Sequence, residues 1–254
     1  MDIVRIGGLE LGARRPLIIV PLTASPLSAL LEEASALSAL PADMAEWRID
    51  MFFGTSEPEE AAVLKVLSSL RRVLKKPLLA TFRTMDEGGQ CPISAEGYAS
   101  LCAAVCKSGM ADMIDVEAFF HSGKAKDIIS FAHASGVPVV ASNHDFHATP
   151  PKDEMVRRLL FMQDELGADV LKIAVMPRCR SDVLALLAAT EEAYSRVNKP
   201  VISMSMGALG SISRVCGHVF GSAATFASAR SASAPGQMDV RRLSSILREL
   251  DGAE

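Results

Sequence analysis

Eight short apolar runs, each followed by a stretch of helical spacing, divide almost the whole of this 254-residue chain. The runs are PLIIVPL (16–22), DMAEWRIDM (43–51), PLLATFR (77–83), DMIDVE (112–117), VPVVASNH (137–144), DVLKIAV (169–175), PVISMSM (200–206) and SAATFA (222–227). The helical stretches are 26–39, 57–74, 94–108, 122–134, 152–166, 180–195, 210–218 and 239–250. Strand followed by helix, repeated, is the pattern of a parallel sheet covered on its faces. Eight such units in about 240 residues fit an α/β chain folded as a (β/α)8 TIM barrel, for which about 250 residues is typical. An open doubly wound sheet is the rival, but no GxGxxG follows the first run and no P-loop occurs.

About half of the residues are apolar, enough to bury a large core, and no flexible linker interrupts the repeat, so residues 1–254 read as one domain. Ser25, Ser56 and Ser94 stand where helix caps or first-turn residues are expected. The opening segment DIVRIGGLELG alternates around Gly7-Gly8 and predicts a β-hairpin apart from the repeat. Net charge is −4 without basic or acidic runs, which favours neither nucleic acid nor an anionic membrane surface. No apolar run reaches membrane-spanning length, and five cysteines without CxxC pairing behind a start that lacks a signal-peptide core suggest a reducing cytoplasm. Cys102 and Cys106 share one helix face and read as core rather than as metal ligands.

In a barrel the C-terminal strand ends converge on one mouth. Polar residues gather there: Glu46, Arg48 and Asp50 by period-two alternation, Arg83 with Glu87 in the following loop, His144, Lys172, Arg214, and Ser233 and Gln237 after the last strand. Lys172 sits in the centre of a run that should be buried. An amine there is either paired with a buried carboxylate or held neutral by burial and neighbouring arginines, and a neutral amine attacks carbonyls to form a Schiff base. His144 would then take a proton from the adjacent carbon, and the arginines imply an anionic substrate. His121, His133, His147 and His218 read as satisfied buried histidines.

The series EWRID (46–50), ATFRTMDEGG (80–89), SNHDF (142–146), DVLKIAV (169–175), MGALGSISR (206–214), FGSAATFA (220–227) and SAPGQM (233–238) resembles type I 3-dehydroquinate dehydratase, in order and across nearly the whole chain. The resemblance implies dehydration of 3-dehydroquinate to 3-dehydroshikimate in the shikimate pathway by a usually dimeric barrel, without metal or cofactor. It implies that Lys172 forms the Schiff base, that His144 moves the proton and that Glu87 orients His144. It further implies that Arg214 binds the substrate carboxylate, that Glu46, Arg48 and Arg83 contact ring hydroxyls, and that Ser233 and Gln237 ride on a closing loop. The N-terminal hairpin would close the barrel floor. Pro21 stands where many relatives place a substrate-touching serine, so a contact there would come from its backbone.

Three other readings stay in view. Another Schiff-base barrel, such as a class I aldolase, would also need Lys172 but not the whole motif series. HDFH suggests a metallohydrolase, yet His144 and His147 on an extended strand end point to opposite sides. A non-catalytic binding barrel would have no use for a buried amine.

Overall fold

The computed structural model describes residues 2–13, 15–119, 123–229 and 233–252. A hairpin of β1 (Val4–Ile6) and β2 (Leu9–Leu11) turns at Gly7 and Gly8, whose φ of 52° and 87° require glycine there. Eight parallel strands follow: β3 (Leu17–Leu22), β4 (Met44–Arg48), β5 (Leu78–Thr81), β6 (Met113–Glu117), β7 (Val139–Asp145), β8 (Val170–Val175), β9 (Val201–Ser205) and β10 (Ala224–Ser228). From β3 to β9 each pairs with the next in chain order, and β10 pairs with β3. The ring shuts between β9 and the start of β10 through a parallel bridge, Val201 to Ser222, and the bond from Ala223 N to Val201 O, 2.7 Å. A ninth short strand, β11 (Met238–Asp239), lies beside β10 and anchors the chain after the last loop.

The helices are α1 (Leu27–Ala36), α2 (Ile49–Phe53), α3 (Glu60–Val73), α4 (Ala95–Ser108), α5 (Lys124–Ala134), α6 (Lys152–Asp164), α7 (Arg180–Arg196), α8 (Gly207–Cys216) and α9 (Val240–Leu250). Ser94 caps α4, accepting from Gly97 N at 3.0 Å. Ser25 and Ser56 cap nothing: α1 is preceded by Pro26 and α3 starts only after Glu59. Cys102 and Cys106 pack into the core as expected. The second strand also ends earlier than its sequence run. At Arg48 the chain turns into α2, because the Asp50 carboxylate folds back onto Arg48 Nε and Nη2 at 2.8 and 2.7 Å. Asp50 therefore does not share an inner face with Glu46 and Arg48. His121 and the expected helix start at 122 lie outside the described residues.

Period-two alternation sorts every strand into two sets. Ile18, Val20, Ala45, Trp47, Leu171 and Ile173 point outward and meet the helices. Leu17, Ile19, Met44, Leu79, Met113, Val140, Val170 and Ile202 point inward and form an apolar floor that also contains Ile6 and Leu11 of the hairpin. Those two side chains are each 2% exposed, so the hairpin plugs the bottom of the barrel. Burying them contributes on the order of 1.5–3 kcal/mol apiece. One inward position further along each strand, the floor gives way to Glu46, Thr81, Asp115, Ser142 and Lys172, all buried. Water is thus sealed out below, and the ionisable groups gather under the mouth.

Candidate active site

The mouth holds a partly open cavity, with about 480 Å³ of space between atoms when the solvent at its opening is included. Glu46, Arg48, Arg83, Glu87, His144, Lys172, Arg214, Ser233 and Gln237 all line it, so nine of the eleven residues that sequence placed at the mouth meet there, and Asp50, turned onto Arg48, does not. Pro21 does not line it. It is buried within β3, opposite Glu46 in register. His147 lies outside the lining but is exposed, so it is not the satisfied buried histidine expected there.

Lys172 is 3% exposed, with Nζ 3.1 Å from Asp115 Oδ2, 3.9 Å from Glu46 Oε1 and 4.7 Å from the centroid of Phe226. Of the two sequence readings, the structure thus displays the amine paired with a buried carboxylate. Asp115 also accepts from Arg83 Nη2 at 2.8 Å and from Ser142 Oγ at 2.6 Å. Burial alone would raise its pKa, but the charges of Arg83 and Lys172, with these hydrogen bonds, hold the carboxyl below its ordinary value. Glu46 is fixed by Thr81 Oγ1 at 3.0 Å. The amine therefore faces two carboxylates whose positions are set by other strands.

His144 is oriented by a separate carboxylate. Its Nδ1 lies 2.8 Å from Glu87 Oε2, and its backbone N–H donates to the same oxygen at 2.9 Å. Glu87 Oε1 accepts from Asn143 Nδ2 at 3.0 Å. Burial, then the cations Arg83, Lys172 and Arg48, hold the imidazole well below its usual pKa, so it is neutral at pH 7. Burial and the Glu117 carboxylate push Glu87 up to about 8, against the pull of Arg83 and the amide of Asn143. Once Glu87 is ionised, Nδ1 carries the ring proton and Nε2 is free to act as base. The two groups titrate as a pair.

The three mouth arginines differ in their partners. Arg48 is held bidentately by Asp50. Arg83 reaches Glu117 at 2.9 Å, Ser142 at 3.0 Å and Glu87 at 3.4 Å besides Asp115. Burial opposes its charge, but the three carboxylates more than offset this and raise its pKa. Arg214 is 2% exposed and has no carboxylate partner among the described residues. It donates to Pro235 O at 3.1 Å and to Met204 Sδ at 3.5 Å, and its Nε has no partner. Burial lowers its pKa to about 10. A buried cation left in this condition is costly unless an anion joins it.

The last loop roofs the cavity. Pro235 O takes Gly207 N at 3.1 Å as well as Arg214, and a Cβ on Gly236 would come within 2.3 Å of Gly207 O, so only glycine permits this seating. Ser233 and Gln237 bond to each other, at 2.9 Å through Ser233 N and 2.9 Å through Gln237 Nε2. Residues 230–232 of the expected lid lie outside the described part.

Asp115, Glu117, Ser142 and Asn143 were not singled out by sequence. The signal was present: DMIDVE places two acids at period two inside a run otherwise fit for a barrel wall.

Inward charges on the C-terminal strand ends above an apolar floor define the class of (β/α)8-barrel enzymes. The comparisons narrow this. A family model described as type I 3-dehydroquinase matches residues 18–254. A 3-dehydroquinate dehydratase of Escherichia coli O157:H7 is 45% identical over the full length of both chains. Among solved structures, a type I 3-dehydroquinate dehydratase from Clostridium difficile with covalently modified comenic acid superposes with a TM-score of 0.94. It is 42% identical, covering 100% of this chain and 99% of that one. The 3-dehydroquinate dehydratase from Geobacillus kaustophilus gives 0.93 at 33% identity, covering 100% and 98%. The chain belongs to the type I 3-dehydroquinase family.

Proposed function

We propose that this hydro-lyase dehydrates 3-dehydroquinate to 3-dehydroshikimate through a Schiff base at Lys172, with His144 moving the proton and Glu87 orienting it. The observation that carries the reading is a buried amine and a carboxylate-tethered imidazole lining one cavity. The Lys172 ammonium passes its proton to a neighbouring carboxylate, Asp115 at 3.1 Å or Glu46 at 3.9 Å, the freed amine adds to the substrate ketone, and that proton departs with the hydroxyl as water to leave an iminium. That cation acidifies the neighbouring C–H, and His144 Nε2 takes the proton to give an enamine. The enamine expels the β-hydroxyl as His144 returns the proton, so a second water leaves. Hydrolysis of the conjugated iminium consumes one water and frees product and Lys172, for a net release of one water. The covalently modified ligand of the Clostridium difficile relative supports covalent chemistry in the family.

Arg214, the buried cation without an acid, would bind the substrate carboxylate, while Glu46, Arg48 and Arg83 line the ring. Ser233 and Gln237 would exchange their mutual bonds for the substrate as the loop excludes water. Among the described residues no helix is long and apolar enough to cross a membrane. The chain acts as one barrel domain over 1–254, a reading supported by a relative of equal span. A cytoplasmic location follows from its unpaired cysteines, and a homodimer from the family resemblance.

Two measurements test this reading. With 3-dehydroquinate the protein should generate the ultraviolet absorbance of a conjugated enone, and borohydride should fix a reduced adduct on the peptide containing Lys172. Release of an aldehyde without the enone would assign the lysine to an aldolase instead. Arg214→Met should raise KM by about 10- to 100-fold, the worth of one charge-assisted hydrogen bond, with a smaller effect on kcat. Its melting temperature should not fall, since the variant removes an unpaired buried charge. An unchanged KM would take the carboxylate away from Arg214.

A further inference from the structure

Glu87 is tied to the outer helices by a chain of hydrogen bonds that the proposed mechanism does not use. Asn143, on β7 between Ser142 and His144, donates from Nδ2 to Glu87 Oε1 at 3.0 Å. Its Oδ1 accepts from Nη1 of Arg158, on α6, at 2.8 Å. Arg158 Nε donates to Glu154 Oε1 at 2.7 Å, and its guanidinium lies 5.9 Å from the centroid of Phe119. Glu154 also takes both Nε and Nη2 of Arg157 at 2.8 Å. Glu154 thus holds Arg158 in one pose from outside the barrel.

An asparagine amide has nearly the same shape in either orientation, but its two faces carry opposite polarity. Facing a carboxylate, NH2 stabilises the ionised form and oxygen repels it. Arg158 decides which occurs. A guanidinium has only donors, so the group opposite it must be Oδ1, and NH2 is left for Glu87.

We propose that Arg158, through Asn143, is a positioning residue that fixes the polarity of the hydrogen bond on Glu87 and so sets when the Glu87–His144 pair becomes a base. This rests on the reading of His144 as the proton-transfer group. Neither Arg158 nor Asn143 lines the cavity. The other charges facing the pair are Arg83, Asp115 and Glu117 around Glu87, and Arg83, Lys172 and Arg48 around His144. All of these stay in place when Arg158 is changed.

The sign is determined by the amide. Its donation lowers the pKa of Glu87, so losing it raises that pKa and moves deprotonation of the pair to higher pH. Arg158→Met keeps an aliphatic stem near Phe119 and removes every donor. The expected result is an acid limb of kcat shifted upward by roughly half a unit or more, with kcat at pH 7 lowered about 3- to 10-fold and KM within about 2-fold of the parent. Arg158→Lys, still a donor without acceptors, should restore the parent profile. Asn143→Asp should shift the limb at least as far, because an acid then faces Glu87.

In a Glu87→Gln background, where the partner cannot ionise, Arg158→Met should leave the limb where Glu87→Gln alone puts it. A residue that merely holds α6 together would slow both backgrounds alike and move neither profile. An unmoved limb in the otherwise native protein overturns the proposal, as does an equal shift in both backgrounds. NMR titration of the His144 ring reads the same shift without turnover. A protein that shows the ring shift but no enone from 3-dehydroquinate keeps this inference and loses the proposed function. Enone formation without any ring shift does the reverse.

Discussion

Lys172→Ala is expected to lower turnover of 3-dehydroquinate by about 10⁴-fold or more while the barrel stays folded. Among the amines and thiols of the described residues, Lys172 alone lines the cavity, so no other side chain there can supply the covalent step. Stability should fall only modestly. Breaking a buried ion pair is severe when the surviving charge is stranded, at about 3–5 kcal/mol. Asp115 is not stranded, because Arg83 Nη2 at 2.8 Å and Ser142 Oγ at 2.6 Å still hold it, and Glu46 keeps Thr81. The lost stem packing against Phe226 and Ala174 amounts to roughly 2–3 kcal/mol at about 0.8 kcal/mol per methylene, partly offset by the amine no longer being desolvated. At about 2–4 °C per kcal/mol for a domain of this size, the melting temperature should drop by several degrees at most. Lys172→Met, which keeps the volume, should melt closer to the parent and be equally inactive. The measurements are enone formation, a thermal melt by circular dichroism, and the intact mass after borohydride treatment with substrate. Brisk turnover, or a borohydride adduct on a variant without the lysine, would end the covalent mechanism.

The barrel was legible because its periodicities are repeated eight times and each unit repeats the same constraint. Inward and outward sets could be separated by counting alone, and nine mouth residues were found from their places at strand ends. What escaped was pairing. Lys172 and Asp115 are 57 positions apart and two strands distant, so their 3.1 Å contact follows from the closed ring and not from any local pattern. Arg83 looked like a cation free for substrate, and only the register of β5 and β6, with Thr81 beside Asp115, reveals why carboxylates surround it. Asp50 was placed on the inner face by extending strand alternation past Arg48, where the Arg48–Asp50 bond instead turns the chain into a helix. The unused caps at Ser25 and Ser56 are similar cases, in which tertiary packing set the helix starts and local preference was overridden. Asn143 read as part of a motif, but its proposed part as a relay depends on Arg158, which carries no signal of its own in the sequence.

His144→Ala is expected to separate the two halves of the reaction. The site contains two carboxylate systems: Asp115 and Glu46 face the amine, and Glu87 faces the imidazole, with Arg83 the group that touches both. Removing the ring leaves the Lys172 side untouched, so addition to the ketone and loss of water proceed and the iminium still forms. It also leaves Glu87 with Asn143 Nδ2, the backbone N–H of residue 144 and Arg83, so the loop from β5 keeps its anchor and the fold should persist. Only the carbon-bound proton lacks an acceptor, because the Glu87 carboxylate faces the Nδ1 side of the ring and not Nε2, the proposed base. Loss of a general base costs about 10²–10⁴-fold, and because in the proposed mechanism this same group also delivers the proton to the departing hydroxyl, the upper end of that range is expected. An enzyme slowed after imine formation accumulates the imine. Mass spectrometry should therefore find a larger share of the chain carrying substrate in His144→Ala than in the parent, with the adduct on Lys172. If the variant fails to accumulate any adduct while remaining folded, then His144 acts before or during attack by the amine, and the division between the two carboxylate systems is not the one drawn here.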